Sequence, residues 1–346
     1  MQYKRIICLV LRITLTILFL LSFKIVPVHG QQADTRRVND SLWIQRFDDQ
    51  IITKLAIINT AEILAVEGDN FKNVLKPNPS EIFRAYFNYR FLSFYVSHTP
   101  HFLPGNNDDD IKGRTSGIGL GTSFNFRNWF TDIFYSHTNG YYLSNIKDYR
   151  PDWQPGDPYF LLPDLTVNSL SGSIGYNTNP HLSLQSTVSQ TERQIRSAGA
   201  FLPKISYRYY TINSPGITFS QKSRNIQALI GAGYQYTFVL RKAFYVTGSF
   251  TPSFGYIFYR LQTQNGADYG VSHARGPIYQ WDALLGTGYS GNRFFAGAYL
   301  TATSSTYAQG LTTAVNQDGQ IYFQLFAGIR LKAPKILEKN YDKIFH

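Results

Sequence analysis

The chain has 346 residues and a formal net charge of +11, with 16% aromatic residues, 16% charged residues and a mean hydropathy of −0.21. So high an aromatic content excludes an intrinsically disordered chain. A polytopic helical membrane protein is excluded as well, because no apolar run of about 18 residues follows the N-terminal stretch. Apolar residues that are spread thinly and regularly are instead typical of transmembrane β-barrels.

The N-terminal residues have the pattern of a secretory signal peptide. Basic residues at positions 4, 5 and 12 precede or border an apolar stretch over 13–23, and small residues at positions 28 and 30 mark a cleavage site. We therefore expect residues 1–30 to be removed after Gly30. Cys8 is the only cysteine, so we expect the exported chain to have no disulfide, thiolate metal site or cysteine nucleophile.

The positive charge is modest and scattered once the expected leader is set aside. Residues 1–30 contain four basic residues and no acidic residue, so the net charge falls from +11 to +7 in the expected mature chain. The remaining Lys and Arg residues stand singly, and export separates the chain from nucleic acid. We therefore expect no nucleic-acid partner and a surface suited to phosphorylated lipids of the envelope.

A two-residue alternation of apolar with small or polar side chains recurs from about residue 82 onward. It is clearest over residues 225–240, where Ile226 to Leu240 form an apolar face and Asn225 to Thr237 a polar or glycine face. This period predicts β-strands. Most runs exceed the ~5 to 6 residues of soluble strands and reach the ~9 to 11 that cross a membrane, which disfavours the alternative of a soluble β-sandwich.

Short and long connections between these runs alternate along the chain. This alternation predicts an all-β, antiparallel transmembrane barrel with short periplasmic turns and long external loops. The short turns are expected near residues 90, 127–128, 177–180, 241–242 and 290–292. The long loops are expected near residues 99–114, 143–164, 213–224, 260–275 and 303–319.

Two segments leave the number of strands open. Residues 42–66 fit either a strand followed by an external loop at 67–80 or an amphipathic helix that plugs the barrel. Residues 181–212 contain two strand-like runs. The chain must cross the membrane an odd number of times here, because it leads from a periplasmic turn at 177–180 to an external loop at 213–224. If the second run is a hairpin outside the membrane the barrel has 12 strands, and if a third crossing is hidden it has 14; we predict 12. The expected divisions are a signal peptide at 1–30, a periplasmic segment at 31–46, the barrel at 47–332 and a periplasmic tail at 333–346.

Several short strings carry a family resemblance. They are His-Thr-Asn-Gly-Tyr-Tyr-Leu at 137–143, Gln-Thr-Glu-Arg-Gln at 190–194, Ser-Ala-Gly-Ala-Phe-Leu at 197–202 and Gly-Ala-Gly-Tyr at 231–234. With the order of the hairpins, they resemble the outer-membrane barrel family of Bacteroidota known as domain of unknown function 4421, over most of residues 45–332. The resemblance implies a barrel and nothing about catalysis, and it assigns no functional residues.

The sequence offers no strong metal or catalytic site. His98 and His101 precede Asp108–Asp110 in one loop, but their spacing matches no established metal-binding loop, so we expect a solvated acidic loop and no metal or cofactor site. Ser136 and His137 are adjacent on one strand and point to opposite faces, so they cannot pair. His181 and His273 have serines nearby in sequence only. We therefore assign no catalytic residue.

Two groups of residues are candidates for a role in or above the barrel interior. A proline-stiffened loop, 148–164, carries four aromatic residues and is predicted to fold inward as a lid, with a glycan- or lipid-stacking platform as the alternative. These aromatic residues are Tyr149, Trp153, Tyr159 and Phe160. Six charged residues are predicted to face the lumen and to pair with one another, Asp282 with Arg84 and Arg208 in particular. They are Arg84, Asp132, Lys204, Arg208, Asp282 and Arg330.

Two classes of function stay open. The favoured one is a non-enzymatic, porin-like outer-membrane barrel that acts in envelope structure or in the passage of a small solute. The rival is a lipid-modifying enzyme, a deacylase or acyltransferase with a Ser/His pair at the rim. The expected partners are outer-membrane lipid and lipopolysaccharide, the barrel-assembly machinery, and a small solute or glycan. The expected location is the cell outer membrane.

Overall fold

The computed structural model describes residues 42–337, with gaps at 69–70, 79–80, 101, 104–105, 127, 217–218 and 309–314. The expected signal peptide, most of the expected N-terminal segment and the chain beyond residue 337 lie outside the described residues. Within the described ranges, no helix is long and apolar enough to cross a membrane.

Strands make up most of the described chain. In order they are β1 Ile44–Arg46, β2 Gln50–Gly68, β3 Phe71–Lys76, β4 Glu81–Tyr89, β5 Leu92–His98, β6 Ser116–Phe126, β7 Trp129–Leu143, β8 Phe160–Tyr176, β9 Glu192–Gln194, β10 Ala198–Ser214, β11 Phe219–Leu240, β12 Phe244–Asn265, β13 Asp268–Ser290, β14 Phe294–Ala308 and β15 Val315–Lys332. A short helix, α1 (Asp109–Lys112), and a 3₁₀ turn (Ile146–Asp148) lie in two of the connections.

Twelve of these strands form a closed antiparallel barrel. The main sheet has thirteen strands, and the pairings of β2 with β15 and of β6 with β7 close it into a ring that leaves only β3 outside the full circle. The first and last barrel strands are paired along almost their whole length, from Gln50 opposite Lys332 to Glu67 opposite Val315. Closure removes the free sheet edges, and the predicted 12-stranded barrel is confirmed.

Strand β3 narrows the ring at one end. We call the end where β2 begins and β15 finishes the near end, and the opposite end the far end. Near its start β2 pairs with β4, whereas farther along it pairs with β3, which also pairs with β7. Because β3 takes the place of the three short strands β4, β5 and β6, the ring has ten strands at the far end instead of twelve. The loop expected at 67–80 therefore contains a strand of the wall.

Every barrel strand presents apolar side chains outward and turns the alternate ones toward the lumen, where most are buried or partly buried. On β11, Ile226 and Ile230 are 54% and 59% exposed, whereas Gln227 and Thr237 are 1% and 0% exposed. Exposed aliphatic or aromatic side chains occur on the outer face of each of the twelve strands. The phase predicted for residues 225–240 is confirmed, and the outer face is an apolar belt.

The connection between β8 and β10 enters the barrel from the near end. It contains β9, which pairs with β1 in a separate two-stranded sheet. Most side chains between residues 182 and 191 are buried, and Gln190 is fully buried. We call residues 177–197 the lumen plug.

The lumen plug explains why two predicted runs give only one membrane crossing. The second run, 201–211, lies within β10, and the first run, 182–190, lies in the plug. The strand assumed to lie outside the membrane was therefore the wrong one of the two, although the count of 12 is right. The prediction of a tight turn at 177–180 was also wrong, because the chain enters the lumen there before β10 begins. For residues 42–66 the strand interpretation is right.

Three of the expected long loops are largely strand. Within 303–319, residues 303–308 belong to β14 and residues 315–319 to β15. Only residues 215–218 separate β10 from β11, and a two-residue turn, Gly266 and Ala267, joins β12 to β13. Residues 264–271 are exposed on both faces of this ribbon. Because neither face is covered, the ribbon lacks the apolar alternation by which the other strands were identified.

Candidate functional site: a closed lumen

The tip of the lumen plug is hydrogen-bonded to the barrel wall through its backbone. The carbonyl oxygens of residues 187, 188 and 189 accept from Tyr299 Oη at 2.9 Å, Lys54 Nζ at 2.7 Å and Asn88 Nδ2 at 2.9 Å, respectively. These donors belong to β14, β2 and β4, so three separate strands hold three consecutive peptide groups. Buried carbonyl groups need such partners, and the wall supplies them.

Gln190 forms the turn at the tip. Its backbone has a φ of 60°, a conformation uncommon for residues other than glycine. Its carbonyl oxygen accepts from Arg330 Nε at 3.1 Å, and its side-chain amide lies 3.4 Å from the hydroxyl groups of Tyr245 and Tyr299. The two tyrosines are joined by a hydrogen bond of 2.7 Å. The surroundings therefore fix an unfavourable backbone conformation at this residue.

Arg330 links the plug to the near-end rim. Arg330 is 3% exposed, and its guanidinium also donates to Ser290 Oγ at 3.0 Å and to the carbonyl oxygen of Gly291, in the turn between β13 and β14. Phe47 and Phe295 lie 4.1 and 4.7 Å from its central carbon. These cation–π contacts and hydrogen bonds replace the water that a buried guanidinium loses.

The base of the plug contains a buried carboxylate. Ser183 Oγ donates to Glu192 at 2.6 Å, and Arg46 Nε lies 3.3 Å from the other carboxylate oxygen. Gln194 Oε1 accepts from the backbone N–H of Ser183 at 2.8 Å. Burial raises the pKa of Glu192, although the hydrogen bond from Ser183 and the charge of Arg46 oppose that shift.

A layer of apolar and aromatic side chains surrounds the tip of the plug in the lumen. They come from strands on several sides of the barrel, and Lys54 lies 3.8 Å from the ring centre of Tyr86. The buried members of this layer are Phe47, Ile52, Ala56, Ile58, Tyr86, Tyr245, Phe295, Tyr299 and Phe326, with Ile82, Tyr95 and Tyr322 packed against them.

The predicted lumen charges lie in the lumen, and two of them pair. Lys204 Nζ lies 2.8 Å from Asp282 Oδ2, and Asp282 Oδ1 accepts from Thr303 at 2.9 Å and from Gln280 at 3.1 Å. Asp132 accepts a hydrogen bond from Ser173 Oγ.

The two arginines that were expected to pair with Asp282 bond to serines on neighbouring strands. Arg84 donates to Ser97 Oγ at 2.7 Å, and Arg208 donates to Ser169 Oγ at 3.0 Å. The partner of Asp282 is thus Lys204, and the expected pairing with Arg84 or Arg208 was wrong. Lysine reaches the aspartate from β10 across the lumen, whereas each arginine is held on its own side by a neighbouring strand.

The far end of the lumen is apolar again. A first cluster joins Tyr210, Leu229, Ile257, Ile278 and Tyr307. A second joins Leu64, Tyr141, Leu165 and Val167, with Leu75, Leu162 and Ile212 packed against it. Apolar side chains therefore occupy both ends of the lumen. The polar layer between them is more open, since Lys204 and Asp282 are 19% and 25% exposed and Asp132 is exposed.

The predicted lid loop, 148–164, packs on the rim. Trp153 is buried, its indole N–H donates to the carbonyl oxygen of Asp157 at 3.1 Å, and its ring lies 4.8 Å from that of Tyr159. Tyr149 Oη bonds to residues 72 and 73 of β3. Phe160 is 58% exposed as the first residue of β8, so this residue does not fold inward as part of a lid.

His137 and His181, which have serines nearby in sequence, contact other groups. His137 Nδ1 lies 2.8 Å from Asn168 Oδ1, and His181 stacks on Trp43 with ring centroids 4.6 Å apart. Within the described part of the chain, no serine hydroxyl is hydrogen-bonded to a histidine ring. Over the same residues no group of three His, Cys, Asp or Glu side chains could hold a metal ion, and His101 lies outside them.

The contacts of the plug were missed by sequence reasoning. The only signal was the string at 190–194, which contributed to the family resemblance and contains the buried Gln190, Glu192 and Gln194. The sequence did not place these polar residues in a plug, because the alternation of the preceding run favoured a strand.

Comparison with known proteins confirms the predicted resemblance. The sequence matches, over residues 38–330, the family described as "Domain of unknown function (DUF4421)". The chain belongs to this family. Among curated proteins, none matches the chain.

Three solved structures resemble the DUF4421 barrel in fold. The outer membrane protease OmpT from Escherichia coli is 8% identical, with 83% of this chain and 98% of that chain covered and a TM-score of 0.38. The translocator domain of the autotransporter NalP from Neisseria meningitidis is 11% identical, with 84% and 92% covered and a TM-score of 0.33. The P. putida toluene transporter TodX is 9% identical, with 82% and 90% covered and a TM-score of 0.31. Such distant likenesses carry no argument about function.

Proposed function

We propose that this protein is an integral outer-membrane β-barrel with a closed lumen that acts in envelope structure and not in the passage of solutes. In this proposal a signal peptide cleaved near Gly30 directs export, and the barrel-assembly machinery inserts the chain. The proposed role is non-enzymatic, since no observation favours a lipid-modifying enzyme.

The proposal is supported by the plug at the near end and by the apolar layers at both ends of the lumen. A barrel of 12 strands lies between the ~8-stranded kind, which side chains fill, and the ~16-stranded kind, which leaves a channel. Here the plug closes the near end through Lys54, Asn88, Tyr299 and Arg330. Apolar layers and the Lys204–Asp282 pair occupy the space beyond it.

The apolar outer face supports the membrane location. Exposed side chains such as Ile230 and Phe254, at 59% and 64% exposure, would be costly in water and are favourable in lipid. A closed ring of strands also satisfies every backbone group internally, which the hydrocarbon region requires.

Planar-bilayer recordings test the proposal. We expect the wild type to conduct no better than a protein-free bilayer, while a 16-stranded porin gives steady steps in the same membranes. A variant with residues 148–157 replaced by a Gly/Ser linker is expected to behave like the wild type, because this loop packs on the rim. Steady conductance of the wild type would overturn the closed lumen, and a rise only in the loop variant would make that loop the closure.

A further inference from the structure

A groove of about 530 Å³ lies on the outer face of the barrel, across strands β10 to β13. Its lining includes three arginines, together with Tyr209 and His273. The arginines are Arg224 of β11, Arg260 of β12 and Arg275 of β13. The groove lies outside the lumen and involves none of the residues that hold the plug.

The strand register brings the three guanidinium groups to one patch. Arg224 is directly opposite Arg260, and Arg260 is directly opposite His273. Arg275 is two residues along β13 from His273, diagonal to Arg260. Directly opposite residues have Cβ atoms about 4.5 to 5.5 Å apart, and diagonal ones are within reach of long side chains. Arg224 and Arg275 are exposed, on the same outward face as Ile226.

No acidic group balances this charge. Within the described ranges, no carboxylate forms an ion pair with Arg224, Arg260 or Arg275, and Arg260 Nε is buried with no hydrogen-bond partner. Like charges directly opposite one another destabilise a strand pair. An isolated arginine at a membrane boundary can simply extend toward water, but such snorkelling does not require three of them to converge. The arrangement is that of a site for an anion.

The position of the patch along the strands indicates which anion. On its near-end side the outward residues are apolar, including Ile226 and Phe258, which line the same groove. On its far-end side the outward residues of β11 and β12 are polar, including Lys222 and Gln262, while β13 carries the exposed Tyr269 and Val271. The patch therefore lies where an apolar belt gives way to water, which in a bilayer is the level of the lipid headgroups.

We propose that Arg224, Arg260 and Arg275 bind the phosphate groups of a phosphorylated glycolipid in the leaflet at the far end, while Ile226 and Phe258 contact its acyl chains. This proposal rests on the membrane location proposed above. Guanidinium groups suit phosphate because their planar N–H groups can donate two parallel hydrogen bonds. Tyr209 Oη and His273 offer further donors on the two flanking strands.

The test uses the mature chain refolded in neutral detergent, so that it starts free of cellular lipid. Binding of bis-phosphorylated lipid A, dephosphorylated lipid A and inorganic phosphate is measured by titration and native mass spectrometry. The test variant is Arg224→Gln/Arg260→Gln/Arg275→Gln. The matched control, Arg241→Gln/Lys242→Gln/Arg293→Gln, removes the same charge from exposed turns at the near end. Heat-modifiable migration on gels establishes that each variant is folded.

For the wild type and the control variant we expect the phosphorylated lipid to bind at least tenfold more tightly than the dephosphorylated one. The folded test variant should lose this preference. Equal binding of the two lipids by the wild type, or a preference kept by the test variant, would overturn the proposal. If inorganic phosphate binds as tightly as the phosphorylated lipid, the ligand is a free anion and the lipid proposal is overturned. A chain that folds as a soluble protein without detergent would instead contradict the membrane location itself.

Discussion

Gly140 shows how a single residue allows the wall to change its strand number. It lies in β7 where the register shifts between Asn139 and Tyr141, and its φ is 91°. A Cβ atom at this position would lie 2.2 Å from the carbonyl oxygen of Arg114. Here β7 leaves β6 and approaches β3, with Thr115 Oγ1 donating to the Gly140 carbonyl oxygen at 2.6 Å. Only a residue without a side chain fits both the conformation and the space.

We expect Gly140→Ala to lower the free energy of unfolding by about 2 to 6 kcal/mol, since a left-handed conformation and a forced contact each cost about 1 to 3 kcal/mol. Gly270→Ala is the matched control, because no heavy atom lies within 4 Å of the place that a Cβ atom would take there and the residue is in an exposed ribbon. That control should stay within about 0.5 kcal/mol of the wild type. Guanidinium unfolding in detergent measures both, and equal values would contradict the role of Gly140.

At the scale of elements, the sequence predicts strands well wherever one face meets lipid. The alternation from Ile226 to Leu240 predicts β11 in the correct phase because its two faces meet lipid and packed side chains. The same signal misled at 182–190, where the apolar positions pack inside the barrel and the backbone bonds to side chains of the wall. It failed again at 260–275, where the ribbon between β12 and β13 has water on both faces.

The sequence predicts which residues face the lumen but not which of them contact one another. Alternation is enough to place Lys204, Asp282 and Arg330 on the inner face. It does not say which inner residues meet across the lumen, because that depends on the stagger of strands far apart in the sequence. The contacts of Gln190 depend in addition on a segment with no regular structure.

The sheet formed by β1 and β9 should make the lumen plug sensitive to pH. Burial raises the pKa of Glu192 above its ordinary value of 4.5. A carboxyl group with a raised pKa stabilises the folded plug when protonated. That stabilisation is complete below the ordinary pKa and is lost as the pH rises through the raised one. The plug should therefore open more easily at neutral pH than at pH 4.

Glu192→Gln removes the titrating group and should flatten this dependence, since a glutamine can still accept from Ser183 Oγ. The measurement is the free energy of opening from hydrogen exchange of residues 182–194 between pH 4 and 8, corrected for the intrinsic exchange rates. Glu81→Gln, at the start of β4 and away from the plug, serves as the control and should keep the slope of the wild type. A wild-type plug that becomes more stable as the pH rises would refute this assignment.

For the whole molecule, the ring and its filled interior have to supply the stability, since the only cysteine lies within the expected leader. The same closed ring sets a direction along the barrel. The barrel begins with β2 and finishes with β15 at the near end, and the plug and the tight turn at Arg241 and Lys242 lie at the same end. The longest strands extend past the apolar belt at the far end, where the ribbon of β12 and β13 ends at Gly266 and Ala267.

This polarity predicts which end faces the outside of the cell. In an outer-membrane barrel the short turns face the periplasm and the longer extensions face outward, so the tip of the ribbon should lie at the cell surface. Ala267→Cys is therefore expected to react with a membrane-impermeant maleimide on intact cells. Lys242→Cys should react only after the outer membrane is permeabilised, and the wild type, without a cysteine after Cys8, is the unlabelled control. Labelling of residue 242 alone on intact cells would invert the barrel, and equal labelling of both would contradict a chain that spans the membrane.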